Sequence, residues 1–276
     1  LLSDRLLPLL EQVASGRATP GDPLQGLQQV ALTSNGVLLT EERARALRAA
    51  GLERITISLD AVEGAVVARM AGLRGGESAG ERLIQQVLAG LDAARSAGFE
   101  PAAGELKLNA VIQRGVNDDQ LLLLAELARR QELELRLIEY MDVGNRNGWA
   151  MEQVLPSSVM VERISQRWPL HPLGRAPGRT ARRWQYLDGR GGIAVIASIS
   201  EPFCGDCNRL RITADGQAFT CLFATHGTDL KPALLSEDHL ECAIRALWQI
   251  RSDRYSEVGR SSAETASHAE MAYLGG

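Results

Sequence analysis

The 276 residues hold few cysteines, no excess of positive charge and no long apolar run. Four cysteines, all between positions 204 and 242, are too sparse for a secreted disulfide scaffold. Clustered in this way, they point to metal binding or redox work. Thirty basic residues face 34 acidic ones, a net charge of -4. A general nucleic-acid surface concentrates Lys and Arg, so that class of function is excluded, although one small basic pocket is not. No apolar stretch approaches the roughly 20 residues that cross a bilayer. Leu1-Leu2-Ser3-Asp4-Arg5 lacks the basic, apolar, small order of a secretory signal. A cytoplasmic chain with neither a membrane nor a nucleic-acid partner is expected. No repeat of solenoid period occurs. There is no GxGxxG in a βαβ setting, and Gly72-Leu73-Arg74-Gly75-Gly76 lacks the Lys-Ser/Thr of a P-loop. A methionine start is missing too, so the chain is expected to begin inside a longer one.

What is present suffices for a sizeable core, at 45% hydrophobic residues in a length that allows one large or two medium domains. Residues 4–15 read as an amphipathic helix and 14–25, with two glycine and proline turns, as a loop. Strands are expected at 28–32, 55–59, 106–113 and 133–139, where apolar and β-branched residues gather. Helices are expected at 40–50 behind a Thr40 cap, at 79–97 ending on Gly98, and from an Asn117 cap to 130. Alternation of this kind implies a parallel sheet with its chemistry at the carboxyl ends of the strands. Near residue 150 the rhythm changes. A helix over 157–168 and strands at 184–187 and 193–199 follow. A hairpin (209–213 with 218–221) turns on Asp215-Gly216, and a helix spans 236–251. The fold class is therefore α/β: a partial β/α barrel over 1–150, then a smaller α+β portion over 151–276, whose end from Gly259 carries no regular structure.

The strongest local signal is Cys204-Gly205-Asp206-Cys207, joined by Cys221 from across the hairpin. Three thiolates suit an iron–sulfur cluster or zinc, and spacing does not choose between them. His226 is the nearest fourth ligand for a zinc ribbon. Cys242, in a helical apolar setting, reads as a buried free thiol. Arg209 and Arg211, two apart in a strand, project from one face beside the cysteines, where two guanidinium forks can grip a phosphate chain; a solvated strand face is the plainer reading. Lys107 and Asn109 share a strand face, as do Arg136 and Ile138. A lysine between apolar neighbours needs a partner, either an anionic ligand or solvent at the strand end. Together Lys107, Arg136, Arg209 and Arg211 build one basic cavity suited to a triphosphate. Thr33-Ser34-Asn35-Gly36 and Ser58-Leu59-Asp60 are either turns or polar ligand contacts at strand ends.

Read in order, these segments resemble one family. Thr33-Ser34-Asn35-Gly36, Ile57-Ser58-Leu59-Asp60, Lys107-Leu108-Asn109, Gly115-Val116-Asn117-Asp118-Asp119 and Ile138-Glu139-Tyr140-Met141-Asp142-Val143-Gly144 are similar to the radical-SAM GTP 3′,8-cyclases of molybdenum cofactor biosynthesis. So are Phe203-Cys204-Gly205-Asp206-Cys207-Asn208-Arg209-Leu210-Arg211, Cys221-Leu222-Phe223 and the terminal Gly275-Gly276. The resemblance implies a radical-SAM barrel followed by a C-terminal iron–sulfur domain. It also implies a reaction: a first 4Fe-4S cluster cleaves S-adenosylmethionine to a 5′-deoxyadenosyl radical, which takes hydrogen from the ribose 3′ carbon of GTP. The substrate radical attacks C8 of guanine, giving (8S)-3′,8-cyclo-7,8-dihydroguanosine 5′-triphosphate, the first step toward molybdopterin. Cys204, Cys207 and Cys221 match the three ligands of a second 4Fe-4S cluster with an iron open to guanine. Thr33, Lys107, Arg209, Leu210 and Arg211, with Arg136, match GTP-binding positions. Ser58 and Met141 match S-adenosylmethionine-binding positions, and Gly275 and Gly276 a tail that enters the active site. Implied partners are GTP, S-adenosylmethionine, an electron donor and the next enzyme of the molybdopterin pathway, with a homodimer as a further expectation.

Departures from the family pattern qualify this. The CxxxCxxC motif of the first cluster and the GGEP segment are absent, Ser34 replaces a common Thr, and residues 101–106 are longer than usual. The chain as given is expected to be a fragment that does not generate the radical by itself. Two alternatives remain open: a non-catalytic remnant that binds GTP and metal, and a radical-SAM enzyme with an auxiliary cluster and another substrate.

Overall fold

Runs of β-branched and apolar residues become strands, and between them helices cover one face. A computed structural model describes residues 3–144, 148–251, 255–258 and 269–274. The first half runs α1 (Leu6–Ala18), β1 (Ala31–Ser34), α2 (Glu41–Ala49), β2 (Arg54–Ser58), α3 (Gly64–Met70), α4 (Gly76–Ser96), β3 (Leu106–Ile112), α5 (Leu121–Arg130) and β4 (Glu134–Glu139). It continues through α6 (Ser157–Arg167), β5 (Leu170–Gly174), β6 (Arg182–Tyr186) and β7 (Gly192–Ile196). The last part holds β8 (Arg211–Ile212), β9 (Gln217–Phe219), β10 (Thr228–Asp229), α7 (Glu237–Gln249) and α8 (Tyr255–Val258).

Seven strands form one sheet in the order β1-β2-β3-β4-β7-β6-β5. The first five in that order are parallel, while β6 and β5 add an antiparallel edge. The architecture is thus α/β, with parallel βα units followed by a smaller mixed portion. The sheet itself crosses residue 150, because β7 lies parallel to β4. Successive strand side chains alternate between the two faces. Ile55, Ile57, Leu106, Leu108, Ala110, Leu135, Leu137, Ile193 and Val195 form the helix-covered core, each 0–1% exposed. The opposite face is polar and carries Thr33, Thr56, Ser58, Lys107, Asn109 and Arg136. Burial of the apolar face is the driving force; the polar face is free for chemistry.

Local chemistry sets the helix ends. Thr40 Oγ1 accepts from Arg43 N at 3.2 Å and caps α2, whose first turn is acidic (Glu41, Glu42) and last turn basic (Arg48). Helices α3 and α4 cross closely because Gly80 has no side chain: a Cβ there would fall 1.9 Å from Gly64 O. A Cβ on Gly90 would likewise meet Gly36 O at 2.4 Å, so α4 lies directly on the turn after β1.

Several expectations are corrected. The first strand begins at Ala31, not at 28, because the approach to it is tied by side chains. Glu53 accepts from Val30 N at 2.7 Å, and Arg17 donates to Gln28 O at 3.1 Å. Helix α3 and strand β5 have no counterpart in the sequence reading; the first is short and hemmed by glycines, the second nearly all exposed. Asn117 does not cap a helix with its side chain. It is wholly buried, accepts from Gln113 N at 2.7 Å and donates to Asp60 O and Val111 O at 2.7 and 2.8 Å. It therefore joins the segment just after β2 to the carboxyl end of β3. Cys242 is exposed rather than buried, since α7 buries no residue. Residues 145–147, most of the segment from Gly259 onward, and Gly275 and Gly276 lie outside the described residues. Among the described residues no helix is long and apolar enough to cross a membrane.

Candidate active site

A cavity of about 620 Å³ lies between the carboxyl ends of the parallel strands and the segment that follows β7. The sheet contributes Thr33 at the end of β1, Ser58 at the end of β2, Asn109 and Val111 from β3, Ile138 from β4 and Ile196 from β7. Met141 stands just beyond β4. The facing wall is built from Phe203, Cys204, Cys207, Arg209, Arg211 and Cys221. All three cysteines of the sequence cluster thus border one space, together with both arginines.

The two walls are joined by Glu139, whose side chain is wholly buried. It accepts from Ser157 N at 2.8 Å, Ile199 N at 2.8 Å and Ser200 N at 2.9 Å, and also from the Ser200 hydroxyl. A carboxylate that takes several backbone donors is strongly fixed. It ties the end of β4 to the start of α6 and to the chain leaving β7. On the sheet side, Asp60 accepts from Val111 N at 2.8 Å, and burial raises its pKa above the usual carboxylate range. The Oδ1 atom of Asn109 is buried with no hydrogen-bond partner.

On the cysteine side, Arg209 donates to Cys207 Sγ at 2.9 Å and its guanidinium lies 5.1 Å from the Phe203 ring centroid. Arg211 Nη1 is buried with no partner. Burial first, then repulsion from Arg209 and Arg251, lowers the Arg211 pKa, and the two thiols Cys221 and Cys207 oppose this. Arg251 lines the cavity and donates to the Cys207 carbonyl. Between the two cysteines of the CxxC turn, Asp206 is held by Arg175 at 2.9 Å and by Gly178 N at 3.2 Å. These bonds, led by that from Arg175, keep its carboxyl below the usual range.

The sequence-derived residues fall into two groups. Thr33, Ser58, Met141, Cys204, Cys207, Cys221, Arg209 and Arg211 border the cavity. Leu210 does not, nor do Lys107 and Arg136. Lys107 is 8% exposed and pairs with Glu134 at 2.7 Å, so its partner within the chain is a carboxylate on the next strand. Arg209 lies before β8 rather than inside it, so strand alternation is not what brings Arg209 and Arg211 together. Arg209 comes from the irregular segment after the CxxC and Arg211 from the start of β8. Gly275 and Gly276 are outside the described residues, but Met271 and Leu274 just ahead of them line the cavity. Asn109 and Asp60 were legible as partners of Lys107 and Ser58 at a spacing of two. Arg251 and Glu134 carried no signal in the sequence.

The donor set at this wall is three cysteine thiols. Among the described residues no group of three His, Cys, Asp or Glu is close enough to hold one metal ion. Zinc binds each thiolate at about 2.3 Å and would need them crowded together, whereas the thiolates of a cluster each bind a different iron and stand farther apart. Cys204, Cys207 and Cys221 share a cavity wall with no disulfide among the described residues, so all three thiols are available as ligands and a cluster ligated through separate irons fits them.

Comparison with known proteins agrees in both halves. Residues 5–128 match the model of the Radical SAM superfamily, and residues 133–257 match that of Molybdenum Cofactor Synthesis C. A GTP 3′,8-cyclase of Synechococcus sp. (strain WH7803) is 70% identical over all of this chain and 80% of its own length. The GTP 3′,8-cyclase of Synechococcus sp. (strain CC9605) gives the same figures. That of Xanthomonas campestris pv. campestris (strain B100) is 45% identical over all of this chain and 76% of its own. With radical-SAM and molybdenum cofactor synthesis portions in tandem, and such identity along its whole length, the chain belongs to the GTP 3′,8-cyclase family.

Proposed function

We propose that the cavity is the site at which GTP undergoes S-adenosylmethionine-dependent radical cyclisation, the first step of molybdenum cofactor synthesis. The observation that carries this reading is the meeting of three cysteines and two arginines with the polar carboxyl ends of a parallel sheet. Cys204, Cys207 and Cys221 would hold a 4Fe-4S cluster at the guanine end of the site. When bound, the family's clusters and S-adenosylmethionine supply the radical that takes hydrogen from the ribose.

The chain's own residues do the rest. Arg209 and Arg211 present guanidinium forks to the nucleotide, and Arg211 does so with a buried nitrogen that has no other partner. Thr33 and Asn109 offer neutral polar groups to the sugar and base, and Ser58 and Met141 border the S-adenosylmethionine end. The apolar surface of Val111, Ile138, Ile196 and Phe203 excludes water, as a site handling a reactive carbon radical requires. The residues before Gly275 and Gly276 reach this cavity, in keeping with a tail that completes it. The two portions, 1–150 and 151–276, both face GTP: the first adds the S-adenosylmethionine end through Ser58 and Met141, and the second adds the three cysteines with Arg209 and Arg211. An electron donor, the next enzyme of the pathway and a second copy of the chain are the remaining partners of this reading.

Arg209→Ala and Arg211→Ala test it in the reconstituted chain by calorimetry. Each should weaken GTP binding by about 1.5–3 kcal/mol, the value of a hydrogen bond to a charged group. Unchanged GTP affinity in both variants would favour a radical-SAM enzyme with another substrate.

A further inference from the structure

Residues 270–274 make one tight turn: the backbone N–H groups of Tyr273 and Leu274 both donate to the Glu270 carbonyl, at 3.0 and 3.2 Å. Met271 and Leu274 on this turn line the cavity. Tyr273 lies between them in sequence, does not line it, and is 45% exposed.

The turn is held from both walls. On the cysteine side, Leu274 is buried with Phe219 and Phe223, and Cys221 packs against the same apolar group. The Tyr273 ring meets the Phe219 ring edge-on, with centroids 6.2 Å apart. Its hydroxyl donates to Asp215 Oδ2 at 2.9 Å and Oδ1 at 3.1 Å. Asp215 sits in the tip of the β8–β9 hairpin, and the Thr213 hydroxyl also donates to it. These bonds, that from Thr213 first and that from Tyr273 second, keep the Asp215 carboxyl below the usual range. A hydrogen bond to an ionised carboxylate is stronger than one between neutral groups. On the sheet side, Val143 joins the same apolar group. Glu270 Oε2 lies so close to Gly144 that a Cβ there would fall 2.3 Å from it. Five residues thus bridge the hairpin that leads into Cys221 and the segment after β4 that carries Met141.

We propose that Tyr273 and Asp215 are positioning residues whose hydrogen bond latches this turn across the two walls and so holds Met271 and Leu274 as an apolar shield beside Cys221. The inference rests on the reading above for the cluster that the shield protects. Neither residue of the latch touches the cavity itself; both act through Met271 and Leu274. The apolar group beneath the turn is small, so the turn depends on the polar bond at its rim. Release of the latch is a local opening: it uncovers Cys221 and leaves the sheet folded.

The test compares the anaerobically reconstituted full chain with its Y273F, D215N and Y273F/D215N variants. Four quantities are read: the rate of iron release to a chelator, alkylation of Cys221 by iodoacetamide followed by mass spectrometry, the electron paramagnetic resonance line shape of the reduced cluster, and the denaturation midpoint. Cys242 is exposed and serves as the internal reference for alkylation. In each single variant, iron release and Cys221 labelling should rise about fivefold or more, as loss of one such hydrogen bond from the closed state requires. The line shape should change and the midpoint should hold. The double variant should go no further than either single one, because both remove the same bond. Unchanged Cys221 labelling in Y273F, effects that multiply in the double variant, or a lowered midpoint with all four cysteines labelled faster together would overturn the proposal. A wild-type chain that takes up no four-iron cluster would overturn the proposed function instead, and Cys221 labelling would still decide whether the latch exists.

Discussion

The sheet and the cysteine-bearing segment reach rigidity by different means. In the sheet, more than thirty buried side chains form one continuous core, and five parallel strands share regular pairing. Site residues there are set by strand register, which fixes which face each side chain occupies. Among the described residues, the cysteine segment has strands of two or three residues and a buried cluster of Val143, Phe219, Phe223 and Leu274. Its CxxC turn is held by Arg175, Arg251 and single hydrogen bonds. So small an apolar core supplies little stability by itself. A bound cluster would supply part of the rest, because metal-binding energy is also folding energy. The difference teaches where to expect dependence on iron: in the second region and not in the first.

Glu139→Ala should have the largest effect on stability, since it strips three backbone donors of their buried acceptor. At about 1–3 kcal/mol for each unsatisfied group, a loss on the order of 3 kcal/mol or more is expected. Chemical denaturation of the variant should show the two regions unfolding separately. A single cooperative transition of unchanged midpoint would erase the contrast drawn above.

Smaller and more local is the effect of Arg175→Ala. The pair with Asp206 is partly exposed, its side chains at 30% and 38%. Pairs of this kind contribute little to global stability. The denaturation midpoint should therefore hold while iron is lost faster to a chelator, because the CxxC turn loses its tether. A shifted midpoint with unchanged iron retention would reverse the assignment.

Acid sharpens the comparison further. Asp206 is held below the usual carboxylate range, so the unfolded chain binds its proton more tightly. The stability it contributes is present above the ordinary aspartate value and is lost as pH falls through the depressed one. Asp60, raised by burial, has the opposite sign: the folded chain takes its proton first, and its unfavourable effect fades as pH falls toward the ordinary value. As pH falls below the ordinary aspartate value, hydrogen exchange should therefore rise in the CxxC turn before it rises at the ends of β2 and β3.

Sequence reading served the two regions unequally, for physical reasons. Strands β2, β3 and β4 are β-branched and apolar on one face, a pattern that burial dictates and that is visible without coordinates. The pairing of β7 with β4 is a contact between segments far apart in sequence, and nothing local announces it. Lys107 was recognised as a charge in need of a partner, but Glu134, on the next strand, is found only through register. The Arg209 and Arg211 pair was found by an argument from strand alternation, whereas Arg209 sits outside β8 and is held at the cysteines by its hydrogen bond to Cys207 Sγ. Arg251 lies just beyond α7, and only the fold carries it to Cys207.

The most direct test is anaerobic reconstitution with iron and sulfide, followed by an iron and sulfide count and an electron paramagnetic resonance spectrum with and without GTP. The account predicts about four irons and matching sulfide per chain, as one 4Fe-4S cluster requires, and a spectrum that GTP alters and ATP does not. One zinc or one iron per chain, or a four-iron spectrum indifferent to GTP, would contradict it.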